Sequence, residues 1–132
     1  MKHIELCEKL LNSLSVQLNI YEQINDLQSQ LLQKLDSSNA MAEAMDLLNE
    51  KNILLDKVKN EHAQNAPVVN EWIENKSEMS VNFPMESAKI DDIIGEIENL
   101  VLKLRSQDEA MIQRFDQHSQ TQNRLNAMRA LR

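Results

Sequence analysis

A chain of 132 residues is one domain's worth of protein, and with only Tyr21, Trp72, Phe83 and Phe115 as aromatics its core must rest on Leu, Ile, Val and Met. One glycine and two prolines leave too few turn residues for repeated strand reversals, which excludes all-β and α/β folds. The net charge of −7, without a long basic run, makes nucleic acid and anionic membranes poor partners. No apolar run exceeds three residues, so no membrane-inserted segment is expected.

The opening "MKHIELCEKLL" places a cysteine soon after a leucine, as a lipoprotein signal would. Glu5 interrupts it and no apolar stretch precedes Cys7, so that reading is rejected. The lone Cys7 has no cysteine to pair with inside the chain, and a reducing cytoplasm is the expected location.

Apolar residues then recur three and four apart at Ile4, Cys7, Leu11, Leu14, Leu18 and Tyr21, continuing through Ile24, Leu27, Leu31 and Leu35. This heptad seam predicts a helix over about 3–35, which at that length needs partner helices to cover it. "DSSN", Asp36 to Asn39, closes it and supplies N-cap candidates for a second helix over about 39–63. So short a link makes the two antiparallel neighbours. The second stripe runs through Met41, Met45, Leu48, Leu55, Val58 and His62, with Asn52 as a polar intruder and Leu47 and Leu54 broadening it.

Pro67 predicts a kink, followed by a shorter extension over about 67–79 that sets Val68, Val69, Trp72 and Ile73 to one side. "SVNFPMES" reads as a loop over about 80–86. A long helix over about 87–131 follows, with Glu86, Asp91 and Asp92 near its N-terminus, where the helix dipole favours acids. Its seam is dense through Ile90, Ile94, Ile97, Val101 and Leu104. It thins to Asp108, Met111, Phe115, His118, Gln122 and Leu125, so the last fifteen or so residues are expected to be loose without a partner. The architecture is therefore all-α: an elongated antiparallel helical hairpin with a long third helix, a single-domain three-helix, coiled-coil-like bundle.

Chemistry is hard to find in this pattern. No Glu is followed three residues later by His, as a di-iron bundle requires. His3, Cys7, His62 and His118 lack zinc-site spacing, and a single glycine allows no Gly-rich phosphate loop. The carboxylates of "DDIIGEIE" (Asp91, Asp92, Glu96 and Glu98) read as a solvated face. Neither an enzyme nor a cofactor or metal site is expected. Adaptable surface remains: Met41 and Met45 read as core filler, whereas Met111 and Met128 suit a partner surface.

The stretch "NEKNILLDKV", preceded by "SSNAMAEAMDLL", is similar to the middle of the flagellar export chaperones of the FlgN type. In that family the second helix carries Glu-Lys, a Leu pair and a later aliphatic residue; here these are Glu50, Lys51, Leu54, Leu55 and Val58. "LLNSL", Tyr21-Glu22 and "LLQKL" resemble the family's first helix. The likeness spans roughly Leu10 to Val58 and continues weakly over Ile97 to Phe115, where Asp108 stands near a place the family often fills with Asn. The resemblance implies a cytoplasmic type III secretion chaperone that binds helical terminal segments of hook–filament junction proteins and hands them to the export apparatus. The contact residues expected on an amphipathic C-terminal helix are Leu104, Met111, Ile112, Phe115, Leu125 and Met128. The alternative is a homodimeric coiled-coil adaptor, or a dimer whose exchanged tails block the cargo surface.

Overall fold

The structure, a computed structural model, describes residues 3–36 and 40–130, with side chains at 115, 118–123, 125–126 and 129–130 outside that description. Three helices account for nearly all of it: α1 (His3–Leu35), α2 (Met41–Asn82) and α3 (Pro84–Ala130). At about 1.5 Å per residue they measure roughly 50, 63 and 70 Å.

The chain runs up, down and up. His3 Nδ1 lies 3.7 Å from Glu78 Oε1, and Lys34 Nζ lies 2.6 Å from Glu43 Oε2, so α1 and α2 are antiparallel from end to end. Gln28 reaches Asp108 and Arg114 reaches Leu32, so α3 returns parallel to α1. α2 and α3 each pack along α1 and meet one another only sparingly. α1 is the spine of the molecule.

Seven-residue spacing organises all three seams. In α1 it links Cys7, Leu14, Tyr21, Gln28 and Leu35, with a second row at Leu10, Gln17, Ile24 and Leu31. In α2 it links Ala44, Lys51, Val58, Asn65, Trp72 and Met79; in α3, Ile90, Ile97, Leu104 and Met111. All are buried except Tyr21 and Asn65, which are half-buried. A repeat of seven keeps an apolar seam turned toward its neighbours when helices wind around one another.

The core forms three blocks along the spine. Leu6, Cys7, Leu10, Leu14, Trp72, Met79, Ile90 and Ile97 fill the first; Ile20, Ile24, Val58 and Leu104 the second; Leu31, Leu35, Ala44 and Met111 the third.

Several expectations are corrected here. Because α1 is covered on two sides, its buried face widens to include Leu6, Ser13, Gln17, Ile20 and Gln28, while Ile4, Leu11, Leu18 and Leu27 are only half-buried. In the first three turns of α2 the buried positions are Ala44 and Lys51, not Met41 and Met45, which are exposed; further along, Val58 and Trp72 are buried as expected, while His62 and Ile73 are exposed.

α2 also runs unbroken through Pro67, without the break into 39–63 and 67–79. A proline removes one helical hydrogen bond, and here the carbonyl it would strand belongs to Ala63; both residues are exposed, where water can serve that oxygen. The expected loop over 80–86 shrinks to Phe83. Its N–H donates to Met79 O (2.7 Å), capping α2, and its C=O accepts from Ser87 N (3.0 Å), opening α3. Pro84 follows at the first helical position, where the missing N–H costs nothing. Of the proposed cap residues, Ser37, Ser38 and Asn39 lie outside the described residues; α2 begins after Ala40 without a side-chain cap.

Candidate partner-binding surface

Two cross-links between helices define where the packed body ends. In the first, Asp108 Oδ1 accepts from Gln28 Nε2 at 2.7 Å and from Lys51 Nζ at 2.8 Å. One oxygen thereby ties α1, α2 and α3 together at a single level. The second lies a turn and a half further along α3. Arg114 Nη1 donates to Leu32 O at 3.1 Å, and its Nε stands 3.3 Å from Asp36 Oδ1. A cation here meets the negative end of the α1 dipole.

Beyond this point α3 outruns its neighbours. α1 has ended at Leu35 and α2 begins at Met41, yet α3 continues to Ala130. Met111 packs against Leu31, Leu35 and Ala44, and Arg114 meets Leu32 and Asp36 at the end of α1. From residue 115 the helix continues to Ala130, about 24 Å at 1.5 Å per residue. This is the stretch for which a loose end is expected from sequence.

The expected contact residues divide accordingly. Leu104 and Met111 are in the core, 6% and 7% exposed, and so are committed to α1 and α2 instead of facing a partner. Ile112 and Met128 are exposed, at 59% and 60%. The side chains of Phe115 and Leu125 lie outside the described residues, although both sit on the heptad continuation of the seam.

The motif residues of the second helix also separate. Lys51 is buried in the polar layer, Val58 is buried beside Ile24, and Leu54 and Leu55 pack partly against that block. Glu50 is exposed and lines a shallow recess between α1 and α2 with Asp26, Leu27 and Ile53.

A feature that sequence reading did not reveal lies between α2 and α3. Because these helices diverge over α1, they leave two adjoining cavities of about 250 and about 400 Å³ that share His62, Ile97 and Glu98. The floor is α1 (Leu10, Leu14, Gln17 and Tyr21), and the walls are Val69 and Trp72 on α2 and Ile94, Val101, Leu102 and Arg105 on α3. Tyr21 Oη and His62 Nε2 stand 3.3 Å apart across the groove, and burial raises the phenol pKa. Leu102, 61% exposed, projects from the rim.

Cys7 is fully buried, and burial first, then the charges of Glu86 and Glu8, raises its thiol pKa. Such a thiol is a small core hydrophobe with little thiolate to react. Among the described residues no three His, Cys, Asp or Glu side chains converge as a metal site, and no helix is long and apolar enough to cross a membrane.

Charge is segregated along the chain. From residue 114 onward stand Arg114, Arg124, Arg129 and Arg132 against one acid, Asp116, so the preceding residues hold more than the whole chain's −7. No protein-family model, curated protein or solved structure matches the chain.

Proposed function

We propose that this protein is a flagellar type III export chaperone, which holds helical terminal segments of hook-associated proteins and releases them to the export machinery. The observation that carries the reading is the length of α3, which continues as a helix to Ala130 beyond the levels at which Lys51 and Arg114 tie it to its neighbours, with Ile112 and Met128 exposed on it. A helical end without packed neighbours is marginal in water, and an amphipathic partner helix would stabilise it by covering its seam. Ile112 and Met128 are exposed to meet such a partner, and the seam positions Phe115 and Leu125 lie between them in sequence. Part of the binding energy goes into ordering both helices, so affinity stays moderate and release remains possible. The acidic composition, the three helices of the described residues and the Glu50-Lys51 to Val58 stretch agree with the family it resembles.

Titration calorimetry of the full chain against terminal helical segments of hook–filament junction proteins tests the reading. Binding is expected with hydrogen-exchange protection gained over 112–130. Failure of every such segment to bind would remove the chaperone assignment.

A further inference from the structure

Two ion pairs join α2 to α3: Lys76 Nζ to Asp91 Oδ1 at 3.8 Å toward the turn between the helices, and Lys51 Nζ to Asp108 Oδ1 at 2.8 Å. From Asp91 to Asp108 α3 rises about 26 Å, and among the described residues no other hydrogen bond or ion pair crosses from α2 to α3 in that interval. The groove lies there. We infer that it seats an amphipathic helix of a partner protein, one that carries a base and an acid a heptad apart along the edge of its apolar stripe. The inference rests on the chaperone reading for the protein that supplies the helix; it adds where that helix lies and what it must carry.

Shape supplies the first reason. The two cavities adjoin through His62, Ile97 and Glu98, so together they form a trench and not a closed pocket. Its walls repeat with the helical period: His62 and Val69 are seven apart on α2, as are Ile94 and Val101 on α3. Such walls are matched along their length by another helix, whose apolar residues repeat with the same period. Leu102, exposed on the rim, offers that helix further apolar surface.

Charge supplies the second. Glu98 and Arg105 line the groove, both are exposed, and neither is ion-paired among the described residues. Seven residues set them about 10 Å apart along the axis, beyond the three- or four-residue spacing at which they would pair with each other. One heptad before Glu98 stands Asp91, and one heptad after Val69 stands Lys76; these two already neutralise each other. The unmet demand therefore begins at Glu98. A base opposite Glu98 and an acid opposite Arg105 would satisfy both, whereas a helix with charges of one sign would be repelled at one of them. Ile112 continues the row of Glu98 and Arg105, so a helix seated here runs on toward the exposed surface of α3.

Titration calorimetry of the full chain with the hook–filament junction segment that binds it best, repeated with Leu102→Asp, Glu98→Lys and Arg105→Glu, tests the placement. All three positions are exposed, where substitution spares the fold. Leu102→Asp should weaken binding roughly tenfold or more, and each charge reversal roughly fivefold at low salt, with a smaller loss at high salt. Ile53→Asp, exposed on the α1 side of α2 away from the groove, should leave affinity within about twofold of native. Binding indifferent to Leu102→Asp would overturn the inference and leave the chaperone reading standing. A response to Leu102→Asp with none to either charge reversal would overturn the partner chemistry stated here. Self-association of the native chain in sedimentation velocity, abolished by Leu102→Asp, would give the groove to a second copy and overturn the inference as well. Failure of every segment to bind would remove both readings.

Discussion

Lys51 of α2 and Asp108 of α3 meet at 2.8 Å in a position where a coiled coil ordinarily keeps an apolar layer. The two are unequal. The lysine side chain is 8% exposed and the aspartate 43%, so the cation depends on its partner while the carboxylate retains water and Gln28. A polar layer of this kind costs stability relative to an apolar one and specifies which levels of the three helices align.

Removing the two members should therefore have different consequences. Asp108→Ala strands a buried ammonium and should destabilise by about 2–3 kcal/mol, below the full value for a buried pair because the aspartate is partly hydrated. Lys51→Met fills the same space with an apolar chain and should stay within about 1 kcal/mol of native. Urea unfolding of both variants measures the difference; equal losses would mean that burial of Lys51 does not decide the energetics.

Pro67 breaks a local rule at no evident gain in packing, since it is exposed within a continuous helix. Pro67→Ala restores a donor to the Ala63 carbonyl and should stabilise by about 1–3 kcal/mol, less than the full helix-propensity difference because proline also restricts the unfolded chain. The midpoint of thermal unfolding should rise. A fall would show that the native backbone at this point is adapted to proline.

Neighbouring residues of α3 should separate core from surface. Met111 is packed among Leu31, Leu35 and Ala44, whereas Ile112 is exposed. Met111→Ala should cost about 2–4 kcal/mol, and Ile112→Ala should change stability by no more than about 0.5 kcal/mol. Denaturant titration at a fixed, low protein concentration distinguishes the two without contribution from self-association.

Alkaline pH should weaken the fold through Cys7. The folded thiol has a raised pKa, so above about pH 8.5 the unfolded chain loses this proton before the native one does. The native state then binds more protons, and stability falls as pH rises; it is fully retained below that value. Tyr21, also raised by burial, adds a further fall above about pH 10. Cys7→Ala should flatten the first decline while leaving the second, as followed by urea unfolding at successive pH values. An unchanged slope would exclude the thiol as its source.

Much of the fold was legible because seven-residue spacing survives in the raw sequence. The α3 seam from Ile90 through Met111 reads directly, since apolar side chains occupy its central positions. The start of the α2 seam does not, because its places at Ala44 and Lys51 hold a small residue and a charged one, while the bulkier Met41 and Met45 draw the eye to the wrong face; Val58 and Trp72 further along do read correctly. Pro67 reads as a break, since a sequence cannot tell whether the stranded carbonyl will face water or core. Of the expected contact positions, Ile112 and Met128 are on the surface, and Leu104 and Met111 are not.

What the sequence by itself determined is the all-helical class, the three-helix order, the heptad period and the thinning of the last seam; these depend on residue type and spacing along one chain. Tertiary structure decided which helix becomes the spine, which level unites Gln28, Lys51 and Asp108, where α3 outruns its neighbours, and that α2 and α3 diverge into a groove. Those properties depend on the relative angle and register of separate helices. They are set by the balance of many weak packing contacts across the bundle, which a single helix's periodicity does not encode.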